Sequence, residues 1–164
     1  MKKLTEAAVL RVFVVITLLL CSTGVQLHAS SSRADQPVRN TRLEKIATEL
    51  ATTLEMNKRV QVVIVPENDR VVSVEPFVSG EGYRVEFEKA FFEQLNDEEV
   101  TAALAHEVGH MWIFNNAPYL QTEALANEIA LKVVPRKPLE TLYAKLWSYT
   151  SVTGNLVEVL GTEK

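Results

Sequence analysis

The sequence His106-Glu107-Val108-Gly109-His110 lies inside a helical pattern over Asp97–Phe114. On a helix, residues four apart lie on one face about one turn from each other, so both imidazoles can reach the same metal ion. Glu107 points about 100° around the axis from His106, which allows its carboxylate to lie beside a water on that ion. Two His ligands and a Glu base are the arrangement of a zinc hydrolase.

The surroundings of this stretch support a metal site. Asn96 is a good N-cap, and Glu99 stands where a capping box requires an acid. Glu99 shares a face with His106, but two turns, or about 10 Å, are too far for a shared ion. Of the three histidines, His28 lies in a segment that we expect to be removed. The alternative is a solvated helix with two incidental histidines.

A catalytic zinc site also needs a third protein ligand and an open position for water. The helix that Thr122 opens offers Glu123, and the short link over Asn115–Gln121 lets that helix return antiparallel, close to His110. Glu128 is a competing carboxylate, but it lies about 140° around the helix from Glu123. Glu123 could also be a first-turn acid that the helix dipole favours. We predict that Glu123 is the third ligand.

Length and composition indicate one domain with a real core, because the chain has 164 residues, of which 47% are hydrophobic. The formal charge of −4 gives no footprint for binding nucleic acid. The only cysteine is Cys21, in the N-terminal segment. A cysteine nucleophile and a Cys-type zinc finger are therefore excluded for the mature domain.

Residues 1–29 have the features of a secretory signal. Basic residues precede the apolar run Val12–Leu20, and Leu27-His28-Ala29 fits a cleavage site. The run is shorter than the roughly 20 residues that a membrane span needs. Two alternatives stay open: an uncleaved signal anchor that associates with the membrane, or lipidation at Cys21. Each predicts an exported domain, periplasmic, secreted or anchored.

Residues 30–38 are interpreted as a linker and residues 39–164 as a single domain. The predicted elements are a helix opened by Thr41, strands at Arg59–Val65, Val71–Val78 and Tyr83–Phe87, the helix over Asp97–Phe114, a helix from Thr122 through Val134, and a last helix from Leu139 to about Tyr149. Pro76 favours an edge strand, and a Gly-rich turn favours a hairpin. We predict an α+β fold, with a small antiparallel sheet of about three strands packed on a zinc-bearing helix pair plus N- and C-terminal helices.

The segment Leu95–His110 resembles the zinc helix of HtpX-type and CAAX-prenyl-protease-type gluzincins. Those families carry a third-ligand motif, E-x-x-A-D, which Glu123-Ala124-Leu125-Ala126-Asn127 matches except for Asn in place of Asp. The resemblance covers Val60 to Val134 and implies an α+β metallopeptidase domain. The Glu-x-x-Ala-Asn pattern is also similar, more distantly, to ImmA/IrrE-type metallopeptidases, which are typically cytoplasmic.

Two departures from the family pattern matter. Only twelve residues, 111–122, separate the second His from Glu123, which implies a reduced wall of the substrate cleft. In those families the Asp orients the first His, whereas Asn127 can accept a hydrogen bond from that ring without adding charge. Such outer partners tune a metal site substantially, so we expect altered activity.

These patterns predict a zinc-dependent endopeptidase of the cell envelope or secreted space. One zinc ion is bound by His106, His110 and Glu123, with Glu107 as the general base and Asn127 as a supporting residue. The partner is a polypeptide substrate, misfolded envelope proteins among them, added as a strand along Val71–Val78. Tyr143, Tyr149 and Arg136 are open candidates for the oxyanion donor. The alternative is a non-catalytic, zinc-stabilised envelope chaperone or adaptor derived from a metallopeptidase.

Overall fold

The computed structural model describes residues 37–162. The predicted signal segment, residues 1–29, and residues 30–36 of the predicted linker lie outside this range. The strands are β1 (Val38–Arg39), β2 (Arg59–Val65), β3 (Val72–Pro76) and β4 (Gly82–Glu88). The helices are α1 (Thr41–Thr53), α2 (Lys89–Phe92), α3 (Asp97–Asn116), α4 (Glu123–Ala130), α5 (Arg136–Thr150) and α6 (Leu156–Leu160), with a 3-10 turn at Pro118–Leu120. No helix within residues 37–162 is long and apolar enough to cross a bilayer.

The four strands form one mixed sheet in the order β1-β2-β4-β3. The α+β class is confirmed, and β3 and β4 form the predicted antiparallel hairpin. The sheet differs from the prediction in two respects. The two-residue strand β1, which spans the boundary between the predicted linker and the predicted domain, adds a fourth strand, and β2 pairs with β4 in parallel. The near-continuous apolar run of β2 is typical of a strand covered on both faces, as parallel strands usually are.

Strand β3 lies at the edge of the sheet, as Pro76 predicted. It spans Val72–Pro76, which is shorter than the predicted Val71–Val78, because the chain turns again after Pro76. Val71 has a φ of +64°, which is an unusual conformation for a β-branched residue. Helix α3 packs against β3, so this open edge lies beside the helix that carries the two histidines.

Helix α3 is the centre of the domain and contacts α1, α4, α5 and β3. The predicted capping box is present: the Asn96 side chain accepts from the Glu99 N–H, and the Glu99 side chain accepts from the Asn96 N–H. The helix buries residues on every side, since four consecutive residues, Ala102 to Ala105, are all buried. A helix with apolar residues all round is stable only when other elements enclose it. The site residues on α3 are therefore held by the hydrophobic core.

The C-terminal part of the domain consists of three helices, α4, α5 and α6. Helix α4 ends at Ala130, earlier than the predicted Val134, because turns and Pro135 follow. Helix α5 begins at Arg136, three residues before the predicted start, and Pro138 lies in its first turn as predicted. The short helix α6, capped by Asn155, was not predicted. It packs against α4.

Candidate metal centre

His106, His110 and Glu123 bring one ligand atom each to a common point, where these atoms all lie within 4.8 Å of one another. The two Nε2 atoms are 3.2 Å apart. The Glu123 carboxylate reaches both rings, with Oε2 3.1 Å from His106 Nε2 and Oε1 3.3 Å from His110 Nε2. The structure thus brings together the three residues that the sequence predicted as metal ligands.

The approach of α4 to α3 places Glu123 against the two rings. Glu123 is the first residue of α4, and the Thr122 side chain caps that helix by accepting from the Leu125 N–H. Gly109 of α3 lies directly under the backbone of Ala126, since a Cβ at position 109 would come within 2.3 Å of the Ala126 carbonyl oxygen. The missing side chain of Gly109 therefore permits the close packing that carries Glu123 to the site.

Asn127 holds His106 from the side opposite Glu123. Its Oδ1 is 2.8 Å from His106 Nδ1, and its Nδ2 donates to the Val159 carbonyl oxygen at 2.9 Å. Because a carbonyl can only accept, the amide orientation is fixed, and His106 must donate through Nδ1–H. The Nε2 of His106 then carries a free lone pair, as a metal ligand requires.

Gln121 plays the same part for His110. Its Oε1 lies 3.0 Å from His110 Nδ1, and its Nε2 donates to the His110 carbonyl oxygen at 3.4 Å. Gln121 was not among the site residues predicted from the sequence. The available signal was an amide side chain in the short link, two residues before the third ligand. Both rings thus present Nε2 to Glu123 while a neutral amide holds Nδ1.

In this arrangement a proton stabilises the cluster electrostatically. Burial alone would lower the pKa of His106, but the hydrogen bond and charge of Glu123 outweigh it and raise that pKa to about 9. Burial would raise the pKa of Glu123, but hydrogen bonds from both rings hold it below its usual range. The two groups therefore attract a positive charge to the space between them. A metal ion would supply that charge in place of the proton.

Glu107 lies next to the cluster in a dry environment, with only 5% of its surface exposed. Burial raises the pKa of this carboxyl, and the positive charge that His106 and His110 can carry opposes the rise. A carboxylate with a raised pKa takes up and holds a proton more readily than an exposed one. These properties suit the general base that the sequence predicted at this position.

The other candidate residues lie or make their contacts away from the cluster. Glu99 caps α3 and accepts from Lys145 Nζ at 2.6 Å, and Glu128 is exposed on another face of α4. The Tyr149 hydroxyl donates to Glu88. Arg136 instead donates to the carbonyl oxygens of residues 160 and 161.

Tyr143 is the oxyanion candidate whose contacts reach the cluster. Its ring lies edge-on to His106, with centroids 6.1 Å apart, and its hydroxyl accepts from Asn127 Nδ2 at 2.7 Å. Burial raises the pKa of Tyr143, and the negative charge of Glu123 adds to this effect, so the hydroxyl stays protonated. Because it accepts from Asn127, its own hydrogen remains available to another partner.

The donor set fits a tetrahedral zinc ion. Zinc takes imidazole nitrogens and carboxylate oxygens at about 2.0–2.2 Å, and ligands on a tetrahedron of that size are about 3.3–3.6 Å apart. The two Nε2 atoms, 3.2 Å apart, lie just below that spacing, and each has one oxygen of the Glu123 carboxylate at a similar distance, Oε2 at 3.1 Å from His106 and Oε1 at 3.3 Å from His110. Three protein ligands leave the fourth position open, as in catalytic rather than structural zinc sites.

The helix pair and its His-His-Glu cluster define a metallopeptidase type of centre. The model of peptidase family M48 matches residues 37–141, more than half of the chain. The chain therefore belongs to peptidase family M48, which confirms the predicted HtpX- and CAAX-type resemblance and supports a metallopeptidase hydrolase. A similarity to ImmA/IrrE-type peptidases is not shown. No curated protein and no solved structure matches the chain.

Proposed function

We propose that this protein is a zinc-dependent endopeptidase, with His106, His110 and Glu123 as the zinc ligands. The observation that carries the proposal is the convergence of one donor atom from each of three residues within 4.8 Å of one another, with each Nε2 turned inward by an amide on the other side of its ring. Two imidazole lone pairs and a carboxylate oxygen that converge in this way repel one another unless a cation lies between them. Family membership supports the same chemistry.

The residues of the chain divide the work of hydrolysis. The chemistry that a bound zinc ion supplies is polarisation of the scissile carbonyl and acidification of the attacking water. Glu107 accepts the proton of that water and then returns it to the leaving amine, as its raised pKa favours. Of the three oxyanion candidates, Tyr143 is the one whose contacts reach the cluster, through Asn127 and the edge of the His106 ring.

The substrate is an extended polypeptide that pairs with the open edge of β3. Within the described part of the chain, β3 pairs with no strand other than β4, and α3 packs against it. An added strand gains backbone hydrogen bonds that do not depend on its sequence. Unfolded segments of envelope proteins would meet this requirement. The proposed location in the envelope or secreted space rests on the signal features of residues 1–29.

The proposal is tested by zinc content and proteolysis on the same preparation of the full chain. We expect about one zinc per chain and chelator-sensitive cleavage of an unfolded casein-type substrate. Glu107→Gln should retain zinc and lose cleavage, because the ligands stay and the base is removed. Glu98→Gln, an exposed carboxyl on the same helix, is the matched control. A native chain that binds no stoichiometric zinc would overturn the proposal.

One observation favours a second candidate, a non-catalytic zinc-stabilised chaperone or adaptor. The link between α3 and α4 has only the turn at Pro118–Leu120, so it adds little wall to a cleft. Against this candidate stands the buried Glu107, which a purely structural zinc site does not need. The two functions separate in the cleavage assay: an adaptor would bind zinc and the unfolded substrate but leave it intact.

A further inference from the structure

We propose that the docking of the C-terminal helix α6 is part of the metal site, and that the Asn127 carboxamide couples the two. The inference rests on the proposed zinc site and adds a partner to it that lies 32 residues further along the chain. In this role Asn127 is a positioning residue, because it acts on the metal through the His106 ring.

The carboxamide of Asn127 is fully buried and uses all of its hydrogen-bonding groups. Its Oδ1 accepts from His106 Nδ1–H at 2.8 Å. Its two Nδ2 hydrogens go to the Tyr143 hydroxyl at 2.7 Å and to the Val159 carbonyl oxygen at 2.9 Å. A planar group held at three points has a single orientation, so the position of Val159 helps to set the plane of the His106 ring.

Helix α6 is held in place by contacts that are independent of Asn127. Leu160 is buried in the main core, with 6% of its surface exposed. Arg136 of α5 donates to the Leu160 carbonyl oxygen at 2.9 Å and to that of Gly161 at 2.6 Å. Val157, on the same helix, is 55% exposed. Undocking of α6 would withdraw the Val159 carbonyl and leave one buried hydrogen of Asn127 without an acceptor.

These contacts also explain why position 127 carries an amide. A carboxylate with the same geometry would place an acceptor oxygen 2.9 Å from the Val159 carbonyl oxygen, where two acceptors face each other in a buried site. A carboxylate could still accept from His106 and Tyr143. The amide is therefore matched to α6, and its replacement by Asp should disconnect α6 from the metal site.

Coupling of this kind is reciprocal, because two linked equilibria must shift each other by the same factor. Zinc that fixes His106 should stabilise the docked position of Asn127 and hence of α6. A loosened α6 should in turn weaken zinc binding. Each direction has its own measurement, and neither requires catalytic activity.

The first experiment compares zinc affinity in two α6 variants of the full chain by competition with a chromogenic chelator. Leu160→Ala, which loosens the buried contact, should weaken zinc binding about fivefold or more. Val157→Ala, on the exposed side, should bind zinc like the native chain. Equal affinity in the two variants would overturn the coupling and leave the zinc site itself intact.

The second experiment measures hydrogen exchange of the α6 amides in the native chain with and without zinc. Zinc should slow exchange over residues 156–160 by a similar factor, and unchanged exchange would overturn the proposal. In Asn127→Asp the zinc effect on α6 should vanish, and Leu160→Ala should no longer alter zinc affinity. If this variant does not fold, the native-chain measurements still decide. A native chain without bound zinc would remove both this inference and the proposed function.

Discussion

His106 and His110 lie one turn apart on α3, yet their supports differ. The inner support is Asn127, which is fully buried on α4 and bonded to two further groups. The outer support is Gln121, which is exposed in the link before α4 and, among residues 37–162, bonded only to His110 itself. A buried amide cannot exchange its partners for water, whereas an exposed one can. The inner support, Asn127, should therefore set the geometry of the site, and the outer support, Gln121, should tolerate substitution.

The largest effect is expected from removal of a metal ligand, whichever of the two supports lies behind it. His106→Ala, His110→Ala and Glu123→Ala should each lose stoichiometric zinc, because two protein ligands do not complete the site. Zinc is measured by metal analysis after dialysis. Glu128→Ala, an exposed carboxyl on the same helix as Glu123, should keep the ion. Full zinc content in any of the three ligand variants would contradict the assignment.

The next effect separates chemistry from binding. Glu107→Gln should reduce the cleavage rate by about 10²–10⁴-fold, as expected for the loss of a general base, while zinc content stays the same. Rates are measured on an unfolded substrate at saturating zinc. Retained cleavage would show that Glu107 serves packing in this buried position and that another group takes the proton.

The comparison itself is tested by truncating each support. Asn127→Ala should weaken zinc binding about 10–100-fold and lower the free energy of unfolding by roughly 1–3 kcal/mol, because it leaves buried groups unpaired. Gln121→Ala should weaken zinc binding less than about tenfold, since water can replace the exposed amide. Chelator competition and urea unfolding give the two quantities. Similar losses in both variants would refute the distinction between inner and outer support.

The smallest effect concerns the metal-free protein and its pH dependence. The folded pKa of His106, about 9, exceeds the ordinary 6.5, so its pairing with Glu123 stabilises fully below pH 6.5 and is lost as pH rises through 9. The pKa of Glu123 is lowered from 4.5, so the same contribution begins to decline as pH falls below 4.5 and is lost as pH falls through the lower folded pKa. Thermal unfolding of chelated protein should show this contribution greatest between about pH 4.5 and 6.5. Glu123→Gln should remove it, and an unchanged profile in that variant would contradict the assignment.

The three candidate metal ligands could be predicted from the sequence because their positions depend on residues close to them in the chain. The spacing of His106 and His110 places both rings on one face, and the Thr122 cap fixes where Glu123 enters α4. The edge position of β3 followed from Pro76 in the same way. Each of these inferences needed only neighbouring residues.

The features that the sequence did not predict depend on distant parts of the chain. The bond from Asn127 to Val159 uses a backbone carbonyl, which every residue carries and no pattern marks. The parallel pairing of β2 with β4 follows from how the hairpin docks, because a β-branched run fits either direction. Gln121 was not predicted, because an exposed amide in a link has no periodic signature.

The contact between Gly109 and the backbone of Ala126 has a consequence for anyone who would transplant the helix pair α3 and α4, with its candidate metal ligands, into another scaffold. The pattern H-E-x-x-H leaves two positions unspecified. At the second of these, Gly109, a methyl group would collide with α4 and push that helix away from α3. The glycine acts as the spacer that keeps the carboxylate of the returning helix within reach. A successful graft therefore has to carry four residues, the three candidate ligands and the glycine that lets the two helices meet.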